Sequence, residues 1–241
     1  TLTSPRMNMA VAQTPQRILF AGGIVTWGNV GTERVEVLDL VTNTWSVEYL
    51  SRPRLNLAAV SYNNNALFAV NGDYYGFRDY GFVVRNGTLY RDTAGSGDAL
   101  VIYNDGTLSS VTEKSSDAQA LVDKGAVQIL SFGPSLIESR KIVVGENTEV
   151  GKAMTSNPRT AIGMISPLHY IIIVSDGRTD ESKGLSLYEL SEVLFKYNCT
   201  TAYNLDGGGS STMWFNGSVI NSPTDGRSDG ERKVSDIVYI G

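Results

Sequence analysis

An aspartate, three glycines and three hydroxyl side chains follow one another in NLDGGGSST, residues 204–212. Glycine loses more backbone entropy on ordering than any other residue, so three in a row do not suit a helix or strand interior. They suit a place where something approaches the main chain closely. Gly207, Gly208 and Gly209 can present backbone N–H groups to a phosphate or sugar oxygen as a nest. Asp206 adds a carboxylate, and Ser210 and Ser211 add hydroxyls. A glycine-rich turn is the plain alternative, but a turn needs neither the aspartate nor the hydroxyls.

Other polar clusters are NGDYYG (71–76), NPRTAIG (157–163) and SDGR (175–178), each read with LDGGGSST as following the end of an apolar strand. A fifth, DGRSDGERKVSD (225–236), precedes the last strand, IVYI. Strand ends converging on one sheet edge are where catalytic side chains are commonly displayed. Arg159 and Arg178 offer planar forks that match phosphate oxygens. Asp73, Asp176, Asp206 and Glu231 supply carboxylates, and cleavage of a glycosidic bond typically uses two, one protonated and one ionised. Asn71 and Thr160 lie in the same clusters and join the expected substrate-binding set. The plainer readings are a turn at Asp176-Gly177 and a strand-edge cap at Arg159.

Several chemistries are disfavoured. The only histidine, His169, stands before a strand without an acidic neighbour, which argues against a Ser-His-Asp triad. No Gly-Lys-Ser/Thr follows the glycines, so the loop is not of Walker type. A single cysteine, Cys199, permits no internal disulfide and, with one histidine, disfavours a zinc site. Net charge −5 gives no support to nucleic-acid binding, and apolar runs such as 170–174 are too short to span a membrane. The chain starts at Thr1 rather than Met, so a leader removed beforehand is compatible with it. Asn-x-Ser/Thr matches at Asn86, Asn198 and Asn216 read as turn chemistry rather than glycan sites.

The elements that must position these residues alternate. Asn86-Gly87, Asp105-Gly106 and Asn216-Gly217 mark three hairpins. RTAIGMI and HYIIIVSDGR read as two adjacent strands. SSDAQALVDKG predicts a short helix capped by Ser115 or Ser116. SLYELSEVLFKYN predicts a second, with Ser186 and Glu189 as a capping box. Hairpins with two helices predict an α+β fold, a mixed and mostly antiparallel sheet.

The first third repeats itself: PRMNMAVA (5–12) recurs as PRLNLAAV (53–60), and ILFA (18–21) as ALFA (66–69). With Arg6, Gly22-Gly23, the TNTW turn and Trp45, this resembles a kelch repeat, one β-propeller blade. Leu38 replaces an expected aromatic and Val70-Asn71 replaces the second diglycine, so one blade and no closed ring is expected over residues 1–62, packed on the rest.

From residue 63 to 241, NGDYYGFRDYGFVVRNGTLYRD, NPRTAIG, SDGR, LSLYELSEVL, NLDGGGSSTM and GERKVSDIVYI resemble, in order, the phosphodiester glycosidase family. The family's namesake is the uncovering enzyme, which removes N-acetylglucosamine from a GlcNAc–phosphate–mannose diester. The resemblance implies a catalytic domain that hydrolyses a sugar-1-phosphodiester, with Asp73, Arg159, Asp176, Asp206, Gly207, Gly208, Gly209, Ser210, Ser211 and Glu231 lining the cleft. Asp73, Asp206 and Glu231 are the expected catalytic carboxylates, their division into acid and base left open. No cofactor is required, a divalent cation such as Ca is compatible, and an extracellular or cell-envelope location is expected. The rival readings are a carbohydrate- or cell-wall-binding module without turnover, and a chimera, natural or engineered, without an evolved function.

Overall fold

The computed structural model describes residues 10–13, 17–21, 32–54, 67–148, 156–225 and 228–240. The chain separates into two compact units, Thr1–Leu67 with Ile240–Gly241, and Phe68–Tyr239.

The first unit contains β1 (Ala10–Gln13), β2 (Arg17–Ala21), β3 (Thr32–Asp39) and β4 (Thr44–Arg54), an antiparallel sheet in chain order. The β3–β4 turn is set by Asp39, whose carboxylate accepts from the N–H groups of Val41 (3.0 Å) and Thr42 (2.9 Å). Asn43 takes the left-handed conformation that closes it. Val35 and Val37 are buried. Arg6, Gly22-Gly23 and residues 55–60 of the second copy lie outside the described residues, and a four-stranded antiparallel meander does not by itself define a kelch blade.

The second unit runs through β5 (Phe68–Asn71), β6 (Val83–Arg85), β7 (Thr88–Arg91), β8 (Asp98–Tyr103), β9 (Leu108–Thr112), α1 (Ala118–Asp123) and β10 (Ala126–Leu130). It continues with β11 (Ser135–Glu138), β12 (Lys141–Ile142), β13 (Arg159–Ser166), β14 (His169–Ser175), α2 (Leu187–Lys196) and β15 (Thr201–Asn204). The closing strands are β16 (Met213–Phe215), β17 (Ser218–Val219), β18 (Thr224–Asp225), β19 (Ser228–Asp229) and β20 (Ile237–Ile240). Two five-stranded sheets have the orders β7-β6-β10-β8-β9 and β12-β11-β15-β13-β14, and a four-stranded sheet has the order β17-β16-β5-β20.

Side-chain alternation stacks these sheets. On β8, Ala99 and Val101 face α1 with Val84 and Ile129, while Leu100 faces the other way into a cluster with Ile162, Met164, Tyr203 and Leu205. On the second sheet, Ala161 and Ala202 pack instead with Leu187, Leu190 and Leu194 of α2. The order is therefore α1, sheet, sheet, α2. Gly163 on β13 lets α2 come close, since a Cβ there would lie 2.9 Å from Leu194 and 2.6 Å from the Cys199 sulfur. Burial pushes the Cys199 thiol up to about 11.

The fold is mostly antiparallel β-sheet, which corrects the α+β expectation. The pairs β6–β7, β8–β9, β10–β6, β10–β8, β11–β15, β13–β14 and β13–β15 are all antiparallel, so the large sheets do not need the long crossovers that parallel strands require. Among the described residues, α-helix is confined to two covers of six and ten residues. Asn86, Asn198 and Asn216, the three glycan-type matches, all have positive φ and sit in turns. The α2 capping box is present, with Glu189 N–H donating to Ser186 (3.1 Å) and Ser186 N–H donating to Glu189 (2.8 Å). The cap of α1 is Asp117, not Ser115 or Ser116, whose hydroxyls donate to the Thr112 carbonyl.

Tyr203 is fully buried and fastens the two large sheets. Its hydroxyl donates to the Asp98 carbonyl (2.7 Å) and accepts from the Phe132 N–H (2.9 Å). Tyr203→Phe leaves both groups without that partner, so a loss of about 1–3 kcal/mol is expected in urea unfolding. A variant as stable as the parent would show that these bonds are replaced by water.

Candidate active site

Antiparallel pairing creates the site edge. Arg159 at the start of β13 lies opposite Ser175 at the end of β14, and Ala161 lies opposite Asn204 at the end of β15. The cluster NPRT thus precedes its strand rather than following one, yet reaches the same edge as SDGR and LDGGGSST. The end of β5 joins them. Asp206 N–H donates to the Gly72 carbonyl (3.0 Å), and the Asn71 amide donates to the Asp206 carbonyl (2.5 Å). Asn71 Oδ1 in turn accepts from the Thr160 hydroxyl (2.7 Å) and the Thr212 N–H (3.3 Å). Asn71 and Thr160 are buried and staple the edge together.

The glycines make room for charged groups. Gly208 has φ +62°, where a Cβ would lie 2.9 Å from Arg178 Nη2. A Cβ on Gly209 would lie 2.9 Å from Arg232 Nη2, and one on Gly207 3.0 Å from the Pro158 carbonyl. Gly207 N–H donates to the Asp206 carboxylate (2.8 Å), and Gly208 N–H donates to the Pro158 carbonyl (2.8 Å). Two of the three N–H groups expected to form a nest therefore already have partners within the protein. Ser210 and Ser211 are buried beside them. Among the described residues, Ser211 Oγ and Thr212 Oγ1 have no hydrogen-bond partner.

Asp206 is buried, and burial pushes its carboxyl above the ordinary range. The Ser210 hydroxyl, the Gly207 N–H and the Arg232 and Arg78 guanidiniums pull the other way without cancelling that effect. Arg232 also holds Asp225, with Nε at 3.1 Å and Nη2 at 2.5 Å from Asp225 Oδ1, and keeps that carboxyl below the ordinary range. Arg232 N–H donates to the Gly209 carbonyl (3.3 Å). Two carboxylates with opposite shifts thus flank one guanidinium at the glycine turn.

Further cations gather here. Arg178 donates from Nε (3.2 Å) and Nη2 (3.1 Å) to Asn157 Oδ1. Arg159 is buried and donates from Nε to the Leu185 carbonyl (3.0 Å); burial first, and then the nearby Arg178 charge, lower its pKa. The Arg78 guanidinium lies over the rings of Phe132 (5.1 Å), Tyr74 (5.4 Å) and Tyr80 (5.8 Å).

The other expected carboxylates are placed differently. Asp73 has no exposed side-chain surface, and both oxygens are taken, Oδ1 by Tyr75 N–H (2.8 Å) and Oδ2 by Ser131 N–H (3.1 Å) and Arg85 (3.3 Å). Asp176 accepts from the Asn221 amide (2.8 Å) and Ser222 N–H (2.9 Å), anchoring a neighbouring loop. Glu231 is exposed. His169 opens β14, at the opposite end from Asp176. Arg78, Asp225 and Arg232 escaped the sequence reading. The last two belong to DGRSDGERKVSD, but their pairing across the β18–β19 hairpin is a property of the folded chain. Among the described residues, no three His, Cys, Asp or Glu side chains converge as metal ligands, and no helix is long and apolar enough to cross a membrane.

A mostly antiparallel β protein with a glycine turn flanked by carboxylates and guanidiniums is the class that fold and site define. The phosphodiester glycosidase (NAGPA) family pattern matches residues 64–241, and the chain belongs to that family. The chain is 33% identical over 156 residues to human N-acetylglucosamine-1-phosphodiester alpha-N-acetylglucosaminidase, covering 58% of this chain and 30% of the human protein. It is 30% identical over 203 residues to the SPbeta prophage-derived uncharacterized protein YomE of Bacillus subtilis, covering 83% of this chain and 30% of that protein. The chain thus spans about 30% of the length of these relatives. Its structure is similar to that of the zebrafish N-acetylglucosamine-1-phosphodiester alpha-N-acetylglucosaminidase catalytic domain, auto-inhibited by pro-peptide, with TM-score 0.60 and 27% identity over 73% of this chain and 63% of that one.

Proposed function

We propose that the chain hydrolyses a sugar-1-phosphodiester of the GlcNAc-1-phosphodiester type, with Asp206 as general acid and Asp225 as general base. The observation that carries this reading is the placement of Arg232, bound to Asp225 through its guanidinium and to the Gly209 carbonyl through its N–H at the turn that Asp206 opens, with the two carboxyls displaced in opposite directions. Titratable pairs whose environments push them apart identify acid and base. Arg232, Arg178 and Arg78 offset the charge that builds on the phosphate oxygen as the C1–O bond breaks. Asp206, whose carboxyl burial shifts toward the protonated form, gives a proton to that oxygen, and Asp225, shifted toward the ionised form by Arg232, takes one from the attacking water. Arg159 is buried and feels the Arg178 charge, and it adds positive charge to the same edge. Glu231 remains an exposed carboxylate on the same segment and is the next base to test. Family membership and the named activity of the human relative support the substrate class. An extracellular or cell-envelope location belongs to the same reading.

The test is release of sugar from a GlcNAc-1-phosphodiester, run with and without a chelator because a bound Ca ion is compatible with the reading. Asp225→Asn is expected to lower kcat by about 10²–10⁴-fold, the ordinary contribution of a general base, with the fold intact. Turnover unchanged in Asp225→Asn but lost in Glu231→Gln would move the base to Glu231. Binding of the diester without hydrolysis by the parent would favour the carbohydrate-binding module instead.

A further inference from the structure

We infer that Asp236 is a positioning residue, a clamp that holds the Asp206 turn and the Arg232 segment in register through residues 72 and 73. The inference rests on the reading of Asp206 as the working acid. Asp236 makes three attachments. Its backbone carbonyl accepts from Gly72 N–H (3.0 Å), its Oδ1 accepts from Asp73 N–H (2.8 Å), and its Oδ2 is bound by Arg85. Arg85 reaches on to Asp73 Oδ2 and anchors itself through Nη1 on the carbonyls of Val84 (2.9 Å) and Ile129 (2.6 Å). The clamp is thus fixed to two strands of a large sheet.

From it two paths lead to the site. Gly72, whose N–H Asp236 holds, accepts the Asp206 N–H on its carbonyl (3.0 Å). In the other direction, four residues upstream of Asp236, Arg232 N–H is fastened to the Gly209 carbonyl. Acid and guanidinium therefore depend on one anchor for their relative placement. Gly72 is glycine for the same reason, since a Cβ there would collide with the Asp236 carboxylate. Asp73 is part of this anchor, which explains why a fully buried carboxylate with both oxygens engaged stands next to the site.

Amide hydrogen exchange on the whole chain tests this without needing turnover. In Asp236→Ala, exchange at Gly72, Asp73 and Asp206 is expected to accelerate by at least about tenfold while amides of β8 and β13 keep their protection, the pattern of a local opening. Asp236→Asn keeps an acceptor for Asp73 N–H and is expected to restore protection at Asp206. Unchanged exchange at Asp206 in Asp236→Ala, failure of Asp236→Asn to restore it, or uniform acceleration over the whole unit would overturn the inference. If the parent hydrolyses no sugar-1-phosphodiester, the functional reading falls while the exchange result still decides whether Asp236 positions the turn.

Discussion

Asp206→Asn is expected to lower kcat for a sugar-1-phosphodiester by about 10²–10⁴-fold while the diester still binds, because the variant removes a proton donor and little else. Asparagine preserves the size of the side chain and an oxygen to accept the Gly207 N–H. The guanidiniums of Arg232, Arg178 and Arg78 remain to hold the phosphate. The pH profile follows from the two displacements. Activity requires Asp206 protonated, so it falls as pH rises through that raised value, and it requires Asp225 ionised, so it falls as pH drops through that lowered value. The residual activity of Asp206→Asn should lack the alkaline limb. An alkaline limb that persists unchanged would assign the acid to another group.

The largest stability effect is expected at Arg85. Asp73 is fully buried, and burial followed by the neighbouring Asp236 charge already raises its carboxyl, with Arg85 opposing both. Arg85→Met removes the opposing charge and leaves a buried carboxylate without its cation, a destabilisation of about 3–5 kcal/mol. The pH dependence has a definite sign. A carboxyl whose folded value is raised binds protons more readily in the folded state, so its burden is present at neutral pH and fades as pH falls through the folded value. The deficit of Arg85→Met in urea unfolding should therefore be largest at neutral pH and shrink as pH is lowered through the raised Asp73 value. A deficit that stays constant across the acid range would mean that Arg85 matters through packing rather than charge.

Local chemistry was legible in the sequence. Asn-Gly and Asp-Gly pairs between apolar runs specify turns through the left-handed backbone they permit, and Ser186 with Glu189 specifies a helix start, so each could be read from a few adjacent residues. The Ser115 or Ser116 cap was misplaced by one or two residues because those hydroxyls found a nearer carbonyl at Thr112. What was not legible depends on distant pairing. The fold class was misjudged because two good helical patterns say nothing of how many strands surround them. Asp73 reads as a catalytic carboxylate because its motif neighbours the site, and only folding reveals that Ser131 N–H and Arg85 hold its Oδ2 and that Asp236, 163 positions away, holds its backbone N–H. Asp206 stands out in the sequence because the glycines beside it announce a special backbone. Arg232 was not, because an arginine one position from a glutamate looks like a solvated pair until the chain brings it to Gly209.

In the proposed reaction this chain breaks the sugar–oxygen bond of the diester rather than a phosphorus–oxygen bond. Hydrolysis of a GlcNAc-1-phosphodiester in water enriched in heavy oxygen tests it, with mass spectrometry of both products. Cleavage at the sugar carbon places the label in the anomeric hydroxyl of the released sugar and none in the phosphate. Label in the phosphate would contradict it.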